Sequence, residues 1–348
     1  MDLSKQIGSL LILGFPGPSL DQEMEICRDI VDYGLGGVIL FNRCLHSPDK
    51  AANIISPIQL KELCSSLQQL SNDTLLIGVD QEGGKVRRLQ PQVGFADTWS
   101  AREMGSGGEN TASTTEQAEM TAAMLADVGI NCNFAPVVDL LSNPSNPVIS
   151  GLDRSFSEDP VLVARHAAAW IEAHNRKGVL SCLKHFPGHG SSAADSHLGF
   201  VDISESWQHQ ELAPYRLLLG DDMVDLVMTG HLFNRHLDPT HPATLSSAII
   251  NDLLRSDLGY QGVVVSDDMQ MKAITDHYNF EEAVCRSLAA GVDMIVFGNN
   301  LDYGQDVCPR AIRAVEDGLD RGMLSETQLK ASLDRVKDLK QRLVNDHD

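Results

Sequence analysis

The sequence of 348 residues predicts a single-domain α/β protein built as a (β/α)8 barrel of the TIM type. Three observations lead to this prediction. Short, continuously apolar runs recur along the chain, helical segments separate most of them, and polar residues follow six consecutive runs. Strands that alternate with helices are typical of a parallel sheet whose faces are covered by helices.

The predicted strands are rich in Val, Ile and Leu and are too short to be helices. They are apolar throughout rather than at every second position, which indicates strands buried on both faces, as in a parallel sheet. In chain order the eight runs are 10–15, 37–41, 75–79, 131–138, 179–183, 226–228, 262–265 and 294–297.

Capping signals indicate where the helices between these strands begin and end. The signals are Asp159-Pro160 with Gly178, Ser246 or Ser247 with Gly259, and a helical segment 281–290 that stops at Gly291. A C-terminal helix at about 325–346 is expected to begin with the capping box Ser325-Glu-Thr-Gln328.

A doubly wound dinucleotide-binding sheet is the main alternative fold. It needs a glycine-rich phosphate turn directly after an early strand. The glycines of Gly34-Leu-Gly-Gly37 precede their strand instead, so this alternative fails. A division of the length by about 150 suggests two domains. However, a barrel uses 250 residues or more, and the chain shows no linker or repeat, so we expect one domain over residues 1–348.

Composition excludes several classes of function. The chain has 27 Lys and Arg against 48 Asp and Glu, and the net charge of −21 argues against nucleic-acid and anionic membrane partners. No apolar run reaches about 18 residues, and the N-terminus lacks a signal peptide's basic start, so a cytoplasmic protein is expected. The seven cysteines form no C-x-x-C pair, which argues against a disulfide framework or a zinc ribbon.

Polar residues collect at the strand ends, where the active sites of barrels lie. A single Asp or His there is commonly a helix cap or a hydrogen-bonded loop residue. Six such segments together indicate an active site instead. They are 80–88, 133–139, 184–197, 229–231, 266–268 and 298–300.

The residue types leave three chemistries open. Asp80 and Asp267 allow glycoside hydrolysis with a carboxylate nucleophile. Lys184 allows Schiff-base chemistry, although nearby carboxylates would raise its pKa and keep it charged. The histidines available for a metal are His185, His189, His197 and His231. Because Pro187 and Gly188 make a turn between the first two, their spacing does not place them on one helix face.

Three motifs together resemble glycoside hydrolase family 3, specifically its single-domain bacterial β-N-acetylglucosaminidases (β-N-acetylhexosaminidases). The motifs are Asp80-Gln-Glu-Gly-Gly-Lys-Val-Arg-Arg88, Lys184-His-Phe-Pro-Gly-His-Gly190 with Asp195-Ser-His197, and Ser266-Asp-Asp-Met269. The second is the most specific, and the likeness extends over about residues 10–300.

The resemblance implies a role for each matching residue. Asp267 matches the nucleophile that forms a covalent glycosyl-enzyme, so configuration is retained. His197 matches the general acid/base, and Asp195 matches its partner. Histidine suits this task because it titrates near neutral pH and can donate a proton and later accept one. The residues that match sugar-binding positions are Asp80, Arg88, Arg154, Lys184, His185 and, in a lesser role, His231. Glu82, His189 and Asp268 are expected to have structural roles.

The substrate that the resemblance implies is a terminal β-linked N-acetylglucosamine (GlcNAc), in muropeptide fragments of cell-wall recycling or in chitooligosaccharides. No metal or cofactor is expected, and the chain is expected to be a monomer or a weak homo-oligomer. A β-glucosidase of the same family is the nearest alternative, but such enzymes usually carry a second domain and lack the Asp-x-His loop. A metal-dependent barrel hydrolase is the alternative from another class, and a non-catalytic sugar-binding barrel is a third.

Overall fold

The computed structural model describes residues 2–49, 51–196, 198–220 and 223–345. Ten strands form within these residues. They are β1 (Leu11–Leu13), β2 (Gly37–Ile39), β3 (Leu76–Val79), β4 (Cys132–Asn133), β5 (Leu180–Phe186), β6 (Val201–Asp202), β7 (Leu226–Thr229), β8 (Leu232–Phe233), β9 (Val263–Ser266) and β10 (Ile295–Phe297).

The helices lie mostly between these strands. The α-helices of the described ranges are α1 (Leu3–Gly8), α2 (Glu25–Tyr33), α3 (Pro57–Leu70), α4 (Ala101–Gly105), α5 (Ala112–Asp127), α6 (Pro160–Asn175), α7 (Ala213–Leu218), α8 (Lys272–Thr275), α9 (Phe280–Ala290), α10 (Val307–Asp320) and α11 (Glu326–Asn345). Shorter 3₁₀ turns include His209–Leu212, and Ala248–Asp257 is a π-helix.

Eight of the strands form one parallel sheet in the order β10-β1-β2-β3-β4-β5-β7-β9. A parallel bridge between Val265 and Met294 joins the last strand to the first and closes the barrel. The predicted (β/α)8 fold is therefore confirmed, and each of the eight predicted runs contains or overlaps a barrel strand. β6 and β8 form a separate two-stranded sheet that the sequence pattern does not reveal.

Two barrel strands differ in length from the predicted runs. The fourth run forms only Cys132–Asn133, because Pro136 has no N–H for a ladder hydrogen bond; pairing resumes with a bridge between Val137 and Lys184. β5 instead runs on to Phe186, so that Lys184 and His185 belong to the strand itself. β7 pairs with Leu183 and Phe186 on either side of them, with a register shift between, and Lys184 bridges to Val137.

The predicted helix signals agree with the structure at most positions. Asp159 caps α6 by accepting a hydrogen bond from Val161 N at 2.8 Å, and α9 ends at Gly291, whose φ is +109°. The final helix begins with the predicted capping box, in which Ser325 Oγ accepts from Gln328 N at 3.2 Å. The expected final position, 346, lies outside the described residues.

The helix predicted to begin at Ser246 or Ser247 is a π-helix rather than an α-helix. Ser246 Oγ accepts from Ile249 N at 3.1 Å and caps its start. Over ten residues the apolar spacing does not separate the two helix types, so the sequence could not distinguish them.

The barrel strands are buried along their whole length, and side chains such as Trp170 and Phe134 fill the space around them. All seven cysteines are buried free thiols. Within the described ranges, no helix combines the length and the apolar character needed to cross a bilayer.

Candidate active site

An open cleft lies at the carboxyl ends of the barrel strands. Asp80 follows β3, Asp267 follows β9, and Arg88 reaches the cleft from the loop after β3; all three side chains line it. The structure thus brings three of the predicted site residues together.

The loop after β3 is folded so that Arg88 returns to Asp80. Gln81 is buried, and its Oε1 accepts hydrogen bonds from the amides of Arg88 and Leu89, both at 2.9 Å. Gly83, with φ of +96°, allows the close turn, since a Cβ there would lie 1.9 Å from the carbonyl oxygen of Trp99. The result is a 2.9 Å ion pair from Arg88 Nη2 to Asp80 Oδ2.

Lys184 connects two carboxylates below the cleft. Its Nζ lies 2.8 Å from Asp80 Oδ1 and 2.7 Å from Glu82 Oε1, and its side chain is only 2% exposed. Asp80 is therefore held by a cation at each oxygen, Lys184 on one side and Arg88 on the other. This fixes the orientation of its carboxylate toward the cleft.

Glu82 also binds Arg154 through two parallel hydrogen bonds. Arg154 Nε lies 2.7 Å from Glu82 Oε2, and Nη2 lies 2.8 Å from Oε1. Both side chains are nearly buried. Arg154 Nη1 donates to the carbonyl of Val148 at 3.1 Å, so the guanidinium is held from two directions.

These charges shift one another's pKa. Burial opposes the charged forms, but the opposite charges outweigh it: the pKa of Lys184 is raised, that of Asp80 is lowered and that of Glu82 is lowered to about 2. Lys184 is therefore an ammonium group at neutral pH and not the free amine that a Schiff base requires. With Arg88 and Arg154 the cluster has three cations and two anions.

His185 joins this cluster to a further carboxylate, Asp139. Nε2 of His185 accepts from Arg154 Nη2 at 3.1 Å, which leaves Nδ1 to donate to Asp139 Oδ2 at 2.7 Å. Asp139 also accepts from the amide of His189 at 2.7 Å. The ring of His185 is thus fixed in one tautomer and one orientation.

The two aspartates after β9 have different surroundings. Asp267 Oδ1 accepts from the amide of Asp268 at 2.8 Å and the side chain borders the cleft. Asp268 Oδ1 instead accepts from the amides of Gln270 and Gly298, at 3.0 and 2.9 Å. These bonds tie the β9 turn to the end of β10, as expected for a structural Asp268.

His231 lies behind the same turn and is buried. Its Nε2 donates to the carbonyl oxygen of Asp268 at 2.9 Å, and its Nδ1 accepts from Thr244 Oγ1 at 2.8 Å. Both ring nitrogens thus contact protein atoms, and contact of His231 with a sugar stays a prediction.

Asp195, the predicted partner of the acid/base residue, lies in the loop that follows β5. Asp195 is half-buried there, and its carbonyl accepts from the amide of Leu198 at 3.0 Å. His197 lies outside the described residues, so its role stays a prediction. Over the ranges that the structure describes, no three His, Cys, Asp or Glu side chains group as metal ligands do.

Two residues of the cluster were not among the predicted site residues. Glu82 was expected to hold its loop or pack, and Asp139 appeared only as the last residue of a motif. Glu82 lies three residues after β3, and Asp139 lies two residues after the bridge at Val137, both at the end where active sites of barrels lie. That position is the signal that could have identified them.

A (β/α)8 barrel in which Asp80 and Asp267 border one cleft at the strand ends has the arrangement expected of a glycoside hydrolase. The chain belongs to glycosyl hydrolase family 3, because the model of the family's N-terminal domain matches residues 3–339. The predicted family is thereby confirmed.

Relatives and solved structures agree with this assignment. The chain is 37% identical to the β-hexosaminidase of Tolumonas auensis over 300 residues, or 83% of each protein. It is 33% identical to β-hexosaminidase A of Pseudoalteromonas piscicida, covering 92% of this chain but only 55% of that protein. The family 3 β-N-acetylglucosaminidase of Paenibacillus sp. FPU-7 superimposes with a TM-score of 0.89 at 34% identity, covering 99% of this chain and 63% of that one. LpqI of Mycobacterium tuberculosis gives 0.82 at 30% identity, covering 98% and 94%.

Proposed function

We propose that this chain is a retaining exo-β-N-acetylglucosaminidase. The observation that carries the proposal is the placement of Asp267 in one cleft with Asp80 and Arg88. The relatives named β-hexosaminidase and β-N-acetylglucosaminidase support the choice of sugar. The chain spans 55% and 63% of two of these proteins, so the activity is inferred for the barrel itself.

In the proposed reaction, a terminal GlcNAc lies in the cleft against Asp80. The lone pairs of Asp80 that Lys184 and Arg88 leave open accept hydrogen bonds from sugar hydroxyls. Arg88, Arg154 and Lys184 supply the donors around the sugar, with His185 orienting Arg154. The fixed geometry of the ion-pair cluster reduces the entropy lost on binding.

Catalysis then takes two displacements. An Asp267 oxygen attacks the anomeric carbon and the bond to the leaving oxygen breaks, while His197, oriented by Asp195, donates a proton to that oxygen. Water next attacks the anomeric carbon of the glycosyl-enzyme, His197 takes one of its protons, and the bond to Asp267 breaks. Two inversions restore the original configuration.

The natural substrate in this proposal is a muropeptide fragment in which GlcNAc is joined to 1,6-anhydro-N-acetylmuramic acid; a chitooligosaccharide is the second choice. The muropeptide assignment includes a cytoplasmic location. The resemblance to family 3 supports the muropeptide substrate and the cytoplasmic location. A comparison of turnover on the muropeptide fragment and on the chitooligosaccharide distinguishes the two substrates.

A paired assay tests the activity. We expect cleavage of p-nitrophenyl β-N-acetylglucosaminide, release of the β-anomer first by NMR, and no effect of a chelator. Preferential cleavage of the corresponding β-glucoside would show that the chain is a β-glucosidase instead. Loss of activity in the chelator, restored by a divalent metal, would favour the metal-dependent alternative.

A further inference from the structure

A buried carboxylate holds the turn from which the Asp195 segment begins. Glu211 lies in the 3₁₀ turn His209–Leu212 and is only 2% exposed. Its Oε2 accepts a hydrogen bond from the amide of Gly190 at 2.9 Å. The contact spans 21 residues of sequence, so it connects the turn after β5 to the segment that follows the loop.

The same side chain packs directly on the turn. Gly188 has a φ of +120°, and a Cβ at that position would lie 2.6 Å from Glu211 Cβ and 2.7 Å from Oε2. Glycine is therefore required at 188 both for its backbone angle and for the space that Glu211 occupies. Nearby, Trp207 Nε1 donates to the carbonyl of Pro187 at 3.0 Å.

The opposite side of the turn is held by the segment after β4. Asp139 accepts from the amide of His189, and Asn146 Nδ2 donates to the carbonyl of His189 at 2.8 Å. Asn143 Nδ2 likewise donates to the carbonyl of Ser192 at 3.0 Å. Asp139 is also the partner of His185, so the turn and the cluster below the cleft share one support.

The chain beyond the turn mixes exposed residues with buried ones, since Ser192 and Ser196 are buried. Ala193 and Ala194 are exposed, Leu198 is 76% exposed and Phe200 is 46% exposed. Asp195 lies between them, five residues after Gly190. Ser196, next to Asp195, is 4% exposed, and its carbonyl accepts from the amide of Ala273 in α8 at 3.3 Å. The stretch is therefore held between α8 and the turn that precedes it.

We propose that Glu211 is a positioning residue for general acid/base catalysis, acting through the turn Pro187–Ser191 on the segment that carries Asp195 and His197. This inference rests on the proposed function. Glu211 itself touches neither the cleft residues nor, in this proposal, the substrate. Its effect is on the step that needs a proton for the leaving oxygen.

The surroundings of Glu211 supply a conservative variant. Among the described residues Oε1 has no donor at full hydrogen-bond geometry, although the hydroxyl and amide of Ser191 lie close enough to offset part of the rise that burial causes in the pKa of the carboxyl. In Glu211→Gln the amide oxygen can accept from Gly190, and the amide nitrogen takes the place of Oε1. Glu211→Leu fills a similar volume but accepts no hydrogen bond. Trp207→Phe removes the hydrogen bond from Trp207 to the carbonyl of Pro187 while keeping an aromatic ring.

The experiment measures the turnover of two glycosides and the hydrogen exchange of the Gly190 amide. We measure kcat/KM for p-nitrophenyl and methyl β-N-acetylglucosaminide, because the poorer methoxide leaving group depends more on the general acid. We also measure hydrogen exchange in peptides that contain Gly190. Glu205→Leu is the matched control, since Glu205 lies in the same connecting segment but is 77% exposed.

For Glu211→Leu we expect a loss on the methyl glycoside at least about tenfold greater than on the aryl glycoside, with faster exchange at Gly190. Trp207→Phe should show the same pattern more weakly, and it decides the matter if Glu211→Leu does not fold. Glu211→Gln and Glu205→Leu should resemble the wild type. Equal losses on both glycosides, or unchanged exchange at Gly190, would overturn the proposal. If the wild-type chain cleaves neither glycoside, the proposed function fails, and the exchange data alone show whether Glu211 holds the turn.

Discussion

Glu82 and Arg154 form a bidentate ion pair, with contacts of 2.7 and 2.8 Å, although 72 residues separate them in sequence. Glu82 also lies 2.7 Å from Lys184, so one carboxylate compensates two cations that are almost without solvent. Removal of one partner from a buried pair leaves an uncompensated charge, which is far more costly than the loss of an exposed pair.

We therefore expect Glu82→Gln to lower the free energy of unfolding by about 3–5 kcal/mol. It should also raise KM, because Arg154 and Lys184 lose their common anchor. Glu119→Gln is the matched control: its pair with Arg176 spans 2.9 Å, but both side chains are 52% exposed, so about 1 kcal/mol or less is expected. Urea unfolding of both variants measures the difference, and similar losses would contradict the prediction.

Substitutions of the two aspartates after β9 should distinguish a catalytic role from a structural one. Asp267→Ala removes the proposed nucleophile, and kcat should fall by about 10⁴-fold or more. Asp268→Asn keeps a side-chain oxygen that accepts from the amides of Gln270 and Gly298, so its kcat should fall by no more than about tenfold. Steady-state kinetics on the aryl glycoside distinguish them. A larger loss of kcat in Asp268→Asn than in Asp267→Ala would show that Asp267 is not the nucleophile.

Local patterns predicted the barrel because each βα unit carries its own signals. An apolar run, a cap such as Asp159 and a stop such as Gly291 all act within a few residues. Pro136, which shortens β4, is a local signal that the predicted run 131–138 does not take into account. The pairing of β6 with β8 depends on distant partners, so local patterns do not show it.

For the cleft as well, the sequence predicts some features and not others. Asp80, Arg88 and Asp267 follow strands of a barrel, so their meeting at one rim could be predicted. Which cation each carboxylate binds depends on side-chain directions across several strands. The roles of Glu82 and Asp139 as shared anchors therefore became visible only in three dimensions.

The cysteines should behave as buried, unreactive thiols. Burial raises the pKa of Cys64 to about 12 and also raises that of Cys182 and Cys308, so little nucleophilic thiolate is present at neutral pH. We expect fewer than about one thiol per chain to react quickly with an aromatic disulfide reagent in the native protein. All seven should react in denaturant without reductant, since all are free. A lower count after unfolding would reveal a disulfide.

Glu211 should make the stability of the protein depend on pH in a defined direction. Burial raises the pKa of Glu211 from 4.5 to about 7, with a further contribution from Asp139; Tyr215 is a second titratable neighbour. Between these two pH values the folded state holds a proton that the unfolded state has lost. The free energy of unfolding therefore falls as pH rises.

The shift corresponds to a contribution on the order of 3 kcal/mol, which is fully present below pH 4.5 and lost as pH rises to about 7. The control is Glu211→Gln, which cannot ionise there but retains Asp29, a second carboxyl whose pKa burial raises to about 7. The difference in unfolding free energy, wild type minus Glu211→Gln, should therefore decrease by about that amount between pH 4.5 and 8 and then stay level. Urea unfolding at a series of pH values measures it. A difference that stays constant with pH, or that increases as pH rises, would show that Glu211 is already ionised in the folded protein at acidic pH.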